Sequence, residues 1–211
     1  MYSKHILSMS EVADSQNLLF LFGNLSICKL GNMQKQELAG EIGIKLCVQE
    51  TGKISEKQIG FYRKYASVTQ RILSKPLFQG FLGWMLTEEN IEKDMISKVE
   101  VVMFPFRNEK GNGLAGKISR NGEIFIYPKR KEFCQKLMRE FEKDKVYFYI
   151  KARAMAALIH ELLHLRYASD ENLVRRKTEE YLHIFIRDEC ERDPNTRPVL
   201  KMLFASVAIA C

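Results

Sequence analysis

The chain has 211 residues, of which 46% are apolar, 28% charged and 10% aromatic, and its formal net charge is +7. These proportions are typical of a globular protein and exclude a disordered, collagen-like or coiled-coil chain. The positive charge allows an anionic partner such as nucleic acid, but acidic and basic residues are mixed along the chain, as on a solvated helix surface.

Helical patterning dominates the first 95 residues. Apolar residues recur at helical spacing over 33–50 and predict a first helix. A second helix is expected to begin at Ser55, which opens a capping-box pattern, and to stop at Pro76. A further helical stretch covers 77–91. These features predict a helical N-terminal region over residues 1–95.

The pattern changes to strands near residue 99. The β-branched, apolar run 99–104 predicts one strand. Two further runs, 114–119 and 123–127, flank an Asn-Gly pair, which is a strong hairpin signal because both residues accept positive φ. Helical stretches follow, at 131–141, 147–167, 171–187 and 197–210. Residues 96–211 are therefore expected to form one α+β unit with a small antiparallel sheet.

Cysteine usage and the apolar runs indicate the compartment. The five cysteines lie far apart without a CxxC pair, which argues against a thiolate zinc site or a disulfide framework. The early apolar run 18–22 is far shorter than the roughly 20 residues that cross a bilayer, and no secretory signal pattern is evident. We therefore expect a cytoplasmic protein that is not embedded in a membrane.

Two of the four histidines form the sequence His160-Glu161-Leu162-Leu163-His164, an HExxH motif. On a helix, positions i and i+4 share a face, so both imidazoles can bind one zinc ion. The intervening Glu161 can then act as general base toward water whose pKa zinc lowers. Composition alone would give about 0.007 accidental matches in a chain of this length, and nothing in 151–167 breaks a helix.

This motif, preceded by the strand-like run 122–127, resembles the zincin metallopeptidases. The amino-acid sequence around His164 is most similar to the sequences of the small cytoplasmic SprT-like and ImmA/IrrE-like groups, and the resemblance covers roughly residues 98–187. The resemblance implies a zinc cofactor bound by His160 and His164, with Glu161 as catalytic base and acid. It also implies that the strand before the helix is the edge that aligns an extended peptide substrate.

The third zinc ligand is open between two patterns. Asp170 stands six residues after His164, where metzincin-like and SprT-like patterns place a histidine, but it also fits a helix N-cap. In gluzincins the ligand is a glutamate on the next helix, where Glu180 flanks the apolar face and Glu179 points away. We take Glu180 as the third ligand, with Asp170 and Glu179 as alternatives.

Other polar groups near the motif have weaker assignments. His183, Tyr167 and Tyr181 could donate to an oxyanion, although packing is the simpler role for the tyrosines. Peptide deformylases share the motif but add a cysteine ligand, and Cys134 lacks the Glu-Gly-Cys context that they use.

The sequence thus predicts a zinc-dependent metallopeptidase that hydrolyses a peptide or protein substrate. The alternative is a basic regulatory or DNA-associated protein with a zincin fold, whose proteolysis is directed at a bound partner or lost. Salt-dependent binding of DNA would favour the alternative.

Overall fold

The computed structural model describes residues 42–47, 56–107, 111 and 113–207. The described strands are β1 (Ile44–Cys47), β2 (Lys98–Val102), β3 (Gly116–Ile118) and β4 (Glu123–Ile126). The helices are α1 (Glu56–Leu73), α2 (Pro76–Glu88), α3 (Lys131–Glu140), α4 (Lys143–Tyr167), α5 (Glu171–Arg192) and α6 (Thr196–Val207), with a 3-10 turn at Lys93–Met95. The protein is α+β, as predicted.

The helices predicted after residue 55 are all observed, with bounds that differ by a few residues. α5 continues to Arg192, beyond the predicted end at residue 187. The reason is that no glycine or proline interrupts the chain before Pro194.

The predicted helix over 33–50 is wrong at Ile44–Cys47, which forms β1. This strand pairs in parallel with β2, in a register that places Ile44 opposite Val99. Pairing with a buried strand outweighs the local helical spacing of apolar residues. The rest of that predicted helix, apart from residues 42 and 43, lies outside the described residues.

The sheet has the strand order β1-β2-β4-β3. β2 is parallel to both β1 and β4, and only β3 is antiparallel to its neighbour. The prediction of an antiparallel sheet is therefore wrong for two of the three pairings. Parallel neighbours need long crossover connections, and α1 and α2 lie in the one that joins β1 to β2.

The predicted hairpin is confirmed in β3 and β4. Gly116 lies opposite Ile126 and Ile118 opposite Ile124. Gly122 adopts a φ of 72°, and a Cβ atom there would lie 2.0 Å from the Met95 carbonyl oxygen. Glycine is therefore required at this turn both for its backbone conformation and for its lack of a side chain.

Helix α4 is the centre of the core. Nearly every side chain from Phe148 to Leu163 is buried, on all faces of the helix. The sheet, α1, α3, α5 and α6 all contact it. Because neighbouring elements enclose α4 on all faces, this packing fixes the position of its last two turns.

Contacts cross residue 95, where the sequence predicts a boundary. β1 hydrogen-bonds with β2, and Glu89, just after α2, binds Lys177 of α5. The described residues on both sides of this position therefore share one core, whereas residues 1–41 of the predicted N-terminal region lie outside the described residues. Among the described helices, none combines the length and the apolar character that a membrane crossing requires.

Candidate metal centre and its cavity

The motif lies in the last two turns of α4, and a tight turn leads directly into α5. Ala168 has a φ of 46°, unusual for a residue with a side chain, and ends α4. Asp170 caps α5 by accepting a hydrogen bond from the Leu173 N–H at 3.1 Å. Because only three residues separate the helices, the first turn of α5 lies opposite the last turns of α4.

Three side chains converge at this helix junction: His160, His164 and Glu171. The two Nε2 atoms are 3.1 Å apart. Glu171 Oε1 lies 3.5 Å from Nε2 of His160, and Glu171 Oε2 lies 3.3 Å from Nε2 of His164. All three side chains are largely shielded from solvent, with exposures of 13%, 17% and 30%.

The outer nitrogens of both imidazoles are held by hydrogen bonds. His164 Nδ1 lies 2.6 Å from the Ala168 carbonyl oxygen, an acceptor, so Nδ1 carries the proton. The Thr178 hydroxyl donates to the Val174 carbonyl and can accept from His160 Nδ1 at 3.4 Å. In the neutral imidazoles both Nε2 atoms then present lone pairs toward Glu171.

Burial favours the neutral form of His160. It lowers the pKa of this imidazole to about 4, although the negative charge of Glu171 opposes the shift. In this neutral form, two nitrogen lone pairs and a carboxylate point toward one another. A bound metal ion would relieve the repulsion between such atoms, so the cluster is a candidate metal site.

The distances fit zinc. Zinc bonds nitrogen and oxygen at about 2.0–2.2 Å, and tetrahedral coordination then places the ligand atoms roughly 3.3–3.6 Å apart. The separation of 3.1 Å between the two Nε2 atoms and the separation of 3.3 Å between His164 Nε2 and Glu171 Oε2 are close to these values. Two imidazoles and one carboxylate are also a donor set that zinc accepts in enzymes.

Arg175 orients the carboxylate of the cluster. Its Nε donates to Glu171 Oε1 at 2.8 Å, from one turn further along α5. Such outer contacts fix the rotamer of a ligand and leave its other oxygen toward the metal position.

Glu161 lies beside the cluster and is 7% exposed. Burial, together with the negative charge of the nearby Glu171, raises the pKa of its carboxyl to about 8, against the opposing effect of a hydrogen bond from the Ile118 N–H. A Cβ atom at Gly116 would lie 2.7 Å from Glu161 Cγ and Oε1. The absence of a side chain at Gly116 therefore creates the space that Glu161 occupies against β3.

The structure does not bring Glu180, the predicted third ligand, to the histidines. Its side chain is 59% exposed, and its nearest ionic neighbour is Arg176. Thr178 faces His160, and two further residues rotate a helix by about 200°, so Glu180 lies on the outer face. Glu179 is also exposed, and Asp170 serves as the N-cap.

The other polar candidates have partners elsewhere. The hydroxyls of Tyr167 and Tyr181 both donate to the buried carboxylate of Glu89. His183 is exposed and packs edge-on against Phe204. Cys134 is buried outside the cluster, and burial raises the pKa of its thiol to about 12, which disfavours a thiolate ligand.

A cavity of about 310 Å³ joins the cluster to the edge of the sheet. The strand at this edge is β3, whereas the predicted edge strand, now β4, lies between β2 and β3. The Tyr127 N–H donates to the Ala115 carbonyl, and the Ser119 N–H donates to the Glu123 carbonyl. Backbone groups of successive residues in a strand point to opposite sides, so those of Gly116 point away from β4. Gly116 and the residues before it line the cavity.

The sequence alone does not identify three residues that line this cavity: Glu171, Gly116 and Arg153. For Glu171 the sequence contains a usable indication. It directly follows the N-cap residue Asp170, so it lies in the first turn of the next helix, close to His164. For Gly116 the sequence contains none, because the need for a glycine arises only from the position of Glu161 across the cavity.

Comparisons with protein-family models, with curated proteins and with solved structures each found no match for this chain. The assignment of function therefore depends on the geometry of the centre and its cavity.

Proposed function

We propose that this protein is a zinc-dependent peptidase. The observation that carries the proposal is the convergence of His160, His164 and Glu171 within zinc-ligand distances, beside a buried Glu161 in the same cavity. Structural zinc sites use four protein ligands, whereas catalytic sites use three and leave one position open. In the described part of the chain the cluster has three donors and borders a cavity, which favours the catalytic kind.

The two histidines and Glu171 would hold the metal. When bound, zinc supplies Lewis-acid polarisation of a carbonyl group and lowers the pKa of water. Arg175, Thr178 and the Ala168 carbonyl keep the three side chains in the ligating orientation.

Glu161 is the general base and acid of the proposal. It takes a proton from the attacking water and later gives it to the leaving amine, which requires a carboxyl that changes charge readily. Its partly apolar surroundings, with one N–H donor from Ile118, suit such a role. A positive charge at the cluster would favour the ionised carboxylate and would therefore lower the pKa of Glu161 from about 8.

β3 would align the substrate. Gly116 directs its backbone groups away from β4, at the edge of the sheet that the described strands form, beside Glu161. An extended peptide could pair there by strand addition, which places a peptide carbonyl beside the histidine cluster. This arrangement favours a peptide substrate over a small ester or amide.

The test compares two glutamine variants of the zinc-loaded protein on a mixture of unstructured peptides. We expect Glu161→Gln to retain zinc and to lose hydrolysis by a factor of about 10²–10⁴. Glu180→Gln, a matched change of an exposed glutamate, should keep the wild-type rate. Wild-type activity in Glu161→Gln, or no hydrolysis of any peptide by the zinc-loaded wild type, would contradict the proposal.

A further inference from the structure

The cavity beside the metal cluster contains two cationic side chains that the proposed chemistry does not use. Arg153, on α4, is 5% exposed, and Lys129 precedes α3. The guanidinium of Arg153 donates to the carbonyl oxygens of Tyr127 at 2.6 Å and Leu114 at 3.1 Å. It carries more N–H donors than these contacts use, and it lines the cavity.

Neither cation forms a salt bridge with a carboxylate among the described residues. The Lys129 ammonium lies 4.7 Å from the centre of the Phe133 ring. Both cations line the same cavity, and the pKa of Lys129 is lowered by burial and, in addition, by the charge of Arg153. A buried arginine beside a second cation, without an anionic partner, is costly unless an anion binds there.

Two of the three acidic side chains that line the cavity have contacts away from Arg153 and Lys129. Glu171 pairs with the histidines and with Arg175, and Glu161 lies against β3. Glu179 also lines the cavity, as an exposed side chain of α5. The end of the cavity at Arg153 and Lys129 is therefore cationic, while the opposite end holds the metal cluster.

The spacing along α4 relates the two ends. Arg153 and His160 are seven residues apart, which places them on one face of the helix with a rise of about 10 Å between them. An extended peptide advances by roughly 3.3–3.6 Å per residue. An anion held by Arg153 would thus lie within about three residues of the bond at the histidine cluster.

The strand direction sets which side of that bond faces the cations. The chain runs from Leu114, whose carbonyl accepts a hydrogen bond from Arg153, into β3 at Gly116, which lies against Glu161. The direction of β3 is therefore from the Arg153 end of the cavity toward the Glu161 end. A peptide added antiparallel to β3 runs in the opposite direction, from the Glu161 end toward Arg153. Its carboxyl-terminal side therefore faces the two cations.

We propose that Arg153 and Lys129 form a carboxylate-binding subsite on the carboxyl-terminal side of the scissile bond. This inference rests on the proposed peptidase function and names its substrate class. The substrate is a peptide that presents a carboxylate within about three residues after the cleaved bond. The carboxylate is either the free terminus of a short peptide or the side chain of an aspartate or glutamate, and both offer the planar oxygen pair that a guanidinium binds.

The test measures binding and does not depend on hydrolysis. Zinc-loaded Glu161→Gln protein is incubated with N-acetylated random hexapeptides, supplied once with free and once with amidated carboxyl termini, and the retained peptides are identified by mass spectrometry. Loss of binding by about tenfold or more on amidation indicates the free terminus. Retained binding with enrichment of Asp over Asn and Glu over Gln indicates the acidic side chain. Either result supports the subsite.

Second substitutions in the Glu161→Gln protein test which residues cause the preference for carboxylate-bearing peptides. Arg153→Gln and Lys129→Gln should each abolish most of this preference. Lys129→Gln covers the case in which Arg153→Gln fails to fold because it loses its two backbone contacts. Arg176→Gln, at an arginine whose side chain is 71% exposed, is the matched control and should keep the preference.

The subsite is disproved if neither peptide set shows a carboxylate preference, if no hexapeptide binds, or if the folded Arg153 and Lys129 variants keep the preference. The proposed function fails separately, if the zinc-loaded wild type does not cleave the peptides that the Glu161→Gln protein retains.

Discussion

Gly116 shows at the residue scale how the candidate centre depends on an absent side chain. A Cβ atom there would lie 2.7 Å from Glu161 Cγ, closer than carbon atoms can approach. The carboxyl group of Glu161 would have to leave its place against β3. The atoms that the added Cβ would meet belong to Glu161 and not to the histidines or Glu171. A substitution at position 116 is therefore expected to displace Glu161, the proposed general base, without moving the proposed metal ligands.

We expect Gly116→Ala to reduce kcat about 100-fold, at the lower end of what a general base contributes, with zinc content unchanged. Peptide hydrolysis and metal analysis on the same sample check this. Gly60→Ala is the control, because nothing lies within 4 Å of a Cβ atom there. A Gly116→Ala protein with wild-type kcat would show that Glu161 does not need its observed position.

The pKa of Glu161 makes the stability of the metal-free protein depend on pH. In the folded protein burial raises this pKa from 4.5 to about 8, so the folded state retains a proton that the unfolded chain releases. Its contribution to the free energy of unfolding is complete below pH 4.5 and is lost as pH rises toward about 8. A glutamine at this position stays neutral throughout.

Glu161→Gln should therefore raise the Tm of the metal-free protein more at about pH 8 than at about pH 5. Thermal unfolding with a chelator, in both proteins at both pH values, measures the difference. The titration of His160, whose pKa burial lowers, is common to both proteins and cancels in the comparison. An equal difference in Tm at the two pH values would rule out a protonated, buried Glu161.

The sequence predicted the residues whose spacing along one helix defines their chemistry. His160, Glu161 and His164 needed only the i, i+4 geometry of α4. The third proposed ligand could not be predicted in the same way, because its place depends on the angle and rotation of the next helix relative to α4. Counting positions along α5 favours Glu180, whereas the short turn at Ala168 places Glu171 beside the two histidines.

At the scale of elements, the α4–α5 pair is joined to α2 by one buried carboxylate. Glu89 follows α2 and accepts hydrogen bonds from Tyr167 of α4 and from Lys177 and Tyr181 of α5. Burial alone would raise the pKa of Glu89, but these three donors hold it below its usual value. The contacts connect both helices of the metal centre with a third helix.

Glu89→Gln should lower the free energy of unfolding by about 2 kcal/mol, because charge-assisted hydrogen bonds are lost and Lys177 loses its carboxylate partner. Urea denaturation measures the change. The neighbouring Glu88 is exposed, and Glu88→Gln should change the stability by less than about 0.5 kcal/mol. Equal effects of the two substitutions would mean that Glu89 does not join these helices.

The limits of sequence reasoning at this scale come from the sheet. The Asn-Gly turn predicted the β3–β4 hairpin because its signal is local. The parallel pairing of β1 with β2 joins segments about 50 residues apart, and the register of Ile44 with Val99 leaves no local pattern. The local pattern therefore predicts a helix where β1 lies, and it predicts β4 as the edge strand, a position that β3 occupies.

At the scale of the whole molecule, the proposed metal ligands, the proposed general base and the edge strand of the described sheet surround one cavity. The enclosed helix α4 supplies His160 and His164, α5 supplies Glu171, and the sheet supplies the edge beside Glu161. The central claim is that these ligands bind one zinc ion for peptide hydrolysis.

Zinc content and affinity of the purified protein, measured beside three alanine variants, test this claim most directly. We expect one zinc ion per chain in the wild type, in Glu180→Ala and in Asp170→Ala, and an affinity weakened by about 100-fold or more in Glu171→Ala. A wild-type protein that binds no stoichiometric zinc, or a Glu171→Ala protein that binds it as tightly as the wild type, would disprove the proposed zinc centre.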